Sequence, residues 1–146
     1  MIIFDRQQIS SMIPHAGAMC LLDAVLGWDS MSVRCLSCCH QRANNPLRRT
    51  DGTLGAICGV EIAAQAMAVH GWLVAGRGGP PTHGYLASVR DVHLRIGRLD
   101  GIEGELVIDA ERLMGDTRGV TYRFLLTGDG LEFLDGRATV LFRAPE

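Results

Sequence analysis

Residues 57–74, ICGVEIAAQAMAVHGWLV, constrain the fold more than any other stretch of the chain. At helical spacing they are apolar on nearly every side, and a helix of that kind is stable only when the rest of the protein covers it. The sequence GRGGPPTHG that follows ends the helix near Gly76, because glycine favours a helix end and proline cannot continue one. The apolar run 62–75 falls short of the roughly 20 residues that a bilayer-spanning helix needs. It is also rich in Ala and Gly, so a buried helix of a soluble domain is expected, with no membrane insertion. Three polar residues break the pattern, namely Glu61, Gln65 and His70. At 3.6 residues per turn, Glu61 and Gln65 lie within roughly 40° of each other and His70 falls on about the opposite side. Burying an unpaired carboxylate is costly, so Glu61 calls for a reason.

The flanking segments supply the cover. Asp5 with Gln8 forms a capping-box pattern that predicts a short first helix ending near Met12, before Pro14. AMCLLDAVLGWD and SMSVRCLSCCH predict two strands joined by a turn near Asp29 and Ser30. A polar connection, QRANNPLRRTDGTLG, leads into the long helix. Beyond it, Val92, Leu94 and Ile96 alternate with Asp91, His93 and Arg95, the period of a strand with one wet face. Val120, Tyr122, Phe124 and Leu126 share one face of a later strand, and TGDG turns into a final strand ending near Phe142. GELVIDAERL fills the gap between them. One long apolar helix and about six mostly antiparallel strands predict an α+β arrangement, a sheet wrapped around a buried helix.

Composition removes several function classes. A chain of 146 residues fits one domain spanning 1–146, with no internal repeat or linker. The net charge is -2 and no basic run exceeds the pair Arg48 and Arg49, which leaves no electrostatic footprint for nucleic acid or an anionic membrane. All 14 basic residues are arginine, so a Schiff-base lysine and a P-loop lysine are excluded. The N-terminus lacks a basic start followed by a long apolar run, so no signal peptide and a cytoplasmic location are expected. Five cysteines in a chain able to build its own core are expected to be reduced thiols.

Two residues lead the candidates for chemistry. Glu61 stands in the first turn of the long helix, where the backbone N–H groups and the dipole favour an anion; a helix-start Glu at the core's edge fits the same pattern. His15, in IPHAGAM, occupies a loop between the first helix and first strand, a common place for functional groups, although a half-exposed loop histidine fits it equally. His40, His70, His83 and His93 read as strand-end, helix-face, loop and wet-strand histidines. CLSCCH suggests zinc, but in a strand Cys35 and Cys38 point to opposite faces and no second ligand pair completes a tetrahedral site. No metal is expected. Cys58 reads as a small buried residue or a thiol acidified by the helix start. GxSxG, GxGxxG and P-loop motifs are absent.

Taken together, these segments resemble the hotdog-fold 3-hydroxyacyl-carrier-protein dehydratases. IPHAGAMCLLDAV is similar to that family's PHRxPFLLVDRV segment, and GVEIAAQAM to its helix, with Glu61 and Gln65 matching a Glu-x-x-x-Gln spacing. GYLASVRDVHLR and LVIDAERL are similar to the strands that follow. The resemblance covers most of the chain in order, and is especially close to the small dehydratases of aryl polyene pigment pathways, whose pattern reads PHxGxMxLLDxV, then AAQAMAVHG and GYLASVRDV. It departs at one point: where the housekeeping enzymes carry a GHFP histidine before the helix, this chain reads NNPLRRTDGTLGAICG.

The resemblance implies a hotdog fold and dehydration of a 3-hydroxyacyl thioester. Glu61 carries over as the helix carboxylate, acting as acid at the departing hydroxyl. His15 is the expected base in place of the missing histidine, with His40 in reserve and Asp51 nearer the usual position. Gln65 is expected in the substrate site, and the backbone N–H groups of Ala56, Ile57, Cys58 and Gly59 as donors to the enolate-like oxygen. No cofactor is expected beyond the phosphopantetheine of an acyl carrier protein, which arginines 42, 48, 49 or 77 would meet. Hotdog domains pair through sheet edges, so a homodimer or a hetero-oligomer with a related dehydratase is implied. The rival expectations are a hotdog thioesterase and a non-catalytic partner subunit.

Overall fold

The computed structural model describes residues 1–14, 17–76 and 84–142. The long apolar segment forms α2 (Gly59–Val74), entered through a short 3-10 turn at Ala56–Cys58. Seven strands surround it: β1 (Phe4–Asp5), β2 (Ala24–Trp28), β3 (Ser32–Ser37), β4 (Gly84–Leu94), β5 (Leu106–Gly115), β6 (Gly119–Gly128) and β7 (Leu131–Phe142). They make one sheet in the order β1-β2-β3-β5-β6-β7-β4, antiparallel at every pairing. The helix lies against β3, β5 and β6 at the middle of that order. This is the predicted α+β architecture, with seven strands in place of about six; the extra one is the two-residue β1, too short to leave a periodic signal.

Alternation drives the wrapping. In β5, Leu106, Ile108 and Ala110 are buried while the residues between them face outward, and in β6 the predicted face of Val120, Tyr122, Phe124 and Leu126 is buried. From the other side α2 contributes Ile62, Ala63, Ala66, Val69 and Leu73, all at 2% exposure or less. Each fully buried Leu, Ile or Phe in this layer contributes about 2 kcal/mol through the apolar area it removes from water. One glycine sets how closely helix and sheet approach: a Cβ on Gly59 would stand 2.6 Å from Leu134 Cδ2 and 3.0 Å from Leu126 Cδ2. The first turn of α2 therefore rests directly on β6 and β7, and Glu61 is held two residues beyond that seat.

The predicted N-terminal capping box is present. Asp5 caps α1 (Arg6–Ser10), accepting from the Gln8 backbone N–H at 2.9 Å while the Gln8 side chain accepts from the Asp5 N–H. The β2–β3 hairpin turns at Asp29 and Ser30 as expected, with Asp29 Oδ1 accepting from the backbone N–H groups of Met31 and Ser32. Two expectations differ from what is seen. Residues 18–23 form a 3-10 turn and coil rather than strand, yet bury Cys20, Leu21 and Leu22 as core. In β4 the alternation does not mark one dry face: Asp91 adopts a positive φ of 54° and the register with β7 shifts between Arg90 and His93. Leu94 is 41% exposed, and Ile96 lies beyond the strand.

Helical structure over Ala56–Val74 spans 19 residues, with a window of mean hydropathy 1.4, so length and apolarity alone would suffice for a bilayer. The preceding 3-10 turn adds residues that the apolar run 62–75 does not count. In this structure the sheet covers it: half of that window is buried within the protein, and its polar members Gln65 and His70 are at 1% and 0% exposure.

Candidate functional site

A cavity of about 420 Å³ runs along one side of α2. The helix contributes Glu61, Ala64, Met67, Ala68, Gly71 and Trp72, which share one face at spacings of three and four residues. Opposite stand Tyr122 of β6, Val140 and Phe142 of β7, and Gly84, Tyr85 and Leu86 at the start of β4. Pro14, from the loop after α1, also lines it. The volume lies in the range of small-molecule sites, and apolar walls with a single carboxylate are what such sites present. A groove of about 450 Å³ on the outer face of β3, β5 and β6 is comparable in size. It is edged by surface ion pairs, Arg34 with Asp109 and Arg123 with Glu111, and reads as a solvated sheet face.

The predicted site residues separate. Glu61 lies in the first turn of α2, half-buried, at the cavity wall. Gln65 does not line the cavity. It is 1% exposed, its Oε1 accepts from the Leu21 N–H at 2.8 Å and its Nε2 donates to the Met19 carbonyl at 2.7 Å. Both ends of the amide, which the sequence places in the substrate site, are spent here on fastening the 19–21 loop to the helix. The loop is fastened from the other side by Arg6, which donates to the Gly17 and Cys20 carbonyls. His15 lies outside the described residues; Pro14 before it is among the residues lining the cavity.

Three of the four amides expected as oxyanion donors are committed elsewhere. Ala56 N–H donates to the Gly97 carbonyl at 3.0 Å, Cys58 N–H to Gly55 at 3.0 Å, and Gly59 N–H to Ala56. Neither these nor Ile57 line the cavity. The 3-10 entry to α2 consumes its own donors, which a reading of the segment as a plain helix start does not anticipate. The Cys58 thiol is pushed up by burial, partly offset by Arg49, so it is not an acidified nucleophile.

Tyr122 was legible as core but not as cavity wall. Its hydroxyl donates to His70 Nδ1 at 2.6 Å, while His70 Nε2–H donates to the Asp29 carbonyl at 2.8 Å. The carbonyl can only accept, which fixes the proton on Nε2 and makes Nδ1 the acceptor. Burial lowers the His70 pKa and raises that of Tyr122 to about 12, so both are neutral and tie the cavity wall to the β2–β3 turn. The sequence signal was a lone hydroxyl on a buried strand face, which needs a partner.

The remaining described histidines are occupied away from the cavity. His40, 1% exposed, has Nε2 at 2.9 Å from the Gly104 carbonyl, and burial lowers its pKa. His93 pairs with Asp135 on the surface. Asp51 caps Thr53 locally. Arg48 donates to the carbonyls of His40, Arg42 and Gly52, and Arg42 pairs with Asp23. These two arginines hold the connection before α2; Arg49 is exposed, and Arg77 and His83 lie outside the described residues. Among the described residues no group of three or more His, Cys, Asp or Glu is placed to hold a metal ion.

A family model described as ApeP-like, ApeP dehydratase, matches residues 7–143. Among solved structures, the dehydratase heterocomplex ApeI:P from Xenorhabdus doucetiae aligns over 93% of this chain and 91% of that one, with a TM-score of 0.80 at 22% identity. Thioesterase superfamily member 2 of zebra fish aligns over 94% and 95%, with a TM-score of 0.63 at 17% identity. A hypothetical thioesterase with coenzyme A from Streptococcus pneumoniae aligns over 84% and 86%, with a TM-score of 0.57 at 12% identity. At these identities the likeness is one of fold, the hotdog fold expected from the sequence. No curated protein matches the chain.

Proposed function

Because the chain belongs to the ApeP-like dehydratase family, we propose that it acts in removing water from a 3-hydroxyacyl thioester to give the trans-2-enoyl thioester, in fatty-acid-like or aryl polyene biosynthesis. The acyl group would arrive on the phosphopantetheine of an acyl carrier protein, in the cytoplasm. One observation carries the reading: a carboxylate in the first turn of α2 stands at one end of an apolar cavity long enough for an acyl chain. Elimination needs a base to take a proton from C2, an acid to protonate the C3 hydroxyl, and stabilisation of the enolate-like oxygen between the two. In the proposed arrangement His15 takes the C2 proton, the electron pair of that C–H bond forms the C2–C3 double bond, and the C3–O bond breaks. Glu61 gives its proton to the departing hydroxyl, which leaves as water. The positive end of the α2 dipole favours the developing negative charge.

A supporting role beside a second, related dehydratase is the other reading, and one observation favours it. Among the described residues no histidine lines the cavity, which leaves room for a base brought by a partner chain. The known heterocomplex of similar fold makes such an assembly concrete.

The test is the mass of the acyl group on a carrier protein loaded with a 3-hydroxyacyl chain. Loss of one water with this chain alone supports the dehydratase. Loss of water only after a related dehydratase is added supports the partner subunit. Release of free hydroxy acid identifies a thioesterase and overturns both.

A further inference from the structure

The cavity runs parallel to α2, and its helix wall contains Gly71. A glycine inside a helix is a cost, because it loses more backbone entropy on folding than alanine would. Packing does not explain it: a Cβ built on Gly71 meets nothing within 4 Å, and its φ is that of an ordinary helical residue. Gly59, on the same helix, is the contrast, since a Cβ there would strike Leu134. Gly71 lines the cavity at an exposed position, and the folded chain places nothing within 4 Å of a Cβ built there.

Its position gives the room a meaning. Gly71 is ten residues beyond Glu61 in α2, roughly 15 Å further along the axis at the helical rise. Between the two, the helix wall is built from Ala64, Met67 and Ala68, with Trp72 beside Gly71. A ligand whose reacting carbons sit at Glu61 reaches Gly71 only if its tail is long, and a short one ends among Ala64, Met67 and Ala68.

We propose that Gly71 is a specificity-determining residue that admits long acyl tails, and that the protein prefers 3-hydroxyacyl groups extending past it over short ones. This rests on the reading of the cavity as an acyl site. A larger side chain at 71 would fill the bore about three helical turns from the chemistry; it would exclude the tail and leave the reacting end untouched.

The experiment measures binding, so that it does not depend on turnover. Affinities of 3-hydroxybutyryl and 3-hydroxytetradecanoyl pantetheine are measured by calorimetry for the wild-type chain, Gly71→Ala and Gly71→Phe, in the protein's native oligomer. The wild type is expected to bind the long ligand more tightly. Gly71→Phe is expected to lose at least about tenfold more affinity for the long ligand than for the short one, as steric rejection in an apolar pocket allows. Gly71→Ala, which improves helix propensity and so keeps the fold, shifts the same ratio in the same direction by less. Equal losses for both ligands, an unchanged ratio in both variants, or a wild type that prefers the short ligand would overturn the proposal; so would a loss traced to dissociation of the oligomer. Length-selective binding without any loss of water would leave the Gly71 assignment standing and remove the dehydratase reading instead.

Discussion

Glu61 and Gln65 stand four residues apart on α2, and their surroundings give them different work. Gln65 joins the helix to a loop 44 residues earlier in the chain, and both ends of its amide are satisfied by backbone of that loop. Gln65→Leu strands the Leu21 N–H and the Met19 carbonyl, and should cost about 3 kcal/mol of unfolding free energy, read as a lower denaturation midpoint at unchanged slope. Glu61 was legible because a carboxylate in an apolar helix is anomalous by itself. The role of Gln65 was not, because helical spacing says which residues share a face and nothing about what crosses it. His70 makes a pH prediction. An unfolded histidine titrates near 6.5, whereas folded His70 is held lower by burial first and by nearby Arg112. Below about pH 6.5 the unfolded chain takes up a proton that the folded chain resists, so stability must fall as pH drops through that window. His40 is shifted in the same direction by burial. Thermal melts at pH 7.5 and 5.5 should show the decline, and His70→Gln should flatten it; a melting temperature that rises on acidification would contradict the account.

At the scale of elements, the helix seat decides where the carboxylate points. Gly59→Val should cost about 1–3 kcal/mol by overpacking against Leu126 and Leu134, and should lower turnover as well, because lifting the first turn off β6 and β7 displaces Glu61. Equilibrium unfolding and steady-state rates on the same preparation check both halves. Strands β5 and β6 could be read from the sequence because each has a neighbour on both sides and the helix beneath, so period two survives along their length. Strand β4 could not. It is an edge strand with a register shift beside Asp91, and an extra residue at that point exchanges the two faces. Residues 18–23 misled for the opposite reason: their apolar run is core contributed by coil, and continuous hydrophobicity alone does not distinguish that from a strand.

Across the whole molecule, the sheet ends in unequal edges. On one side is the two-residue β1; on the other is the eleven-residue β4, with Tyr85 55% and Leu86 38% exposed. A long edge with apolar side chains is a template for another chain, and the same residues, Gly84, Tyr85 and Leu86, form the rim of the cavity. Pairing there would cover the cavity, so Tyr85→Glu combined with Leu86→Glu should reduce the assembly mass in sedimentation and raise KM. The order of the motifs along the chain made the hotdog wrap readable; the unequal edges depend on which strands end up outermost, which no local pattern encodes. Glu61 is the residue on which the proposed chemistry of the cavity depends. With a carrier protein bearing a 3-hydroxyacyl chain, and in whichever assembly releases water, Glu61→Gln should keep its melting temperature within a few degrees while the rate of water loss falls by about a hundredfold or more; an undiminished rate in the folded variant would contradict the assignment of this cavity as the site of dehydration.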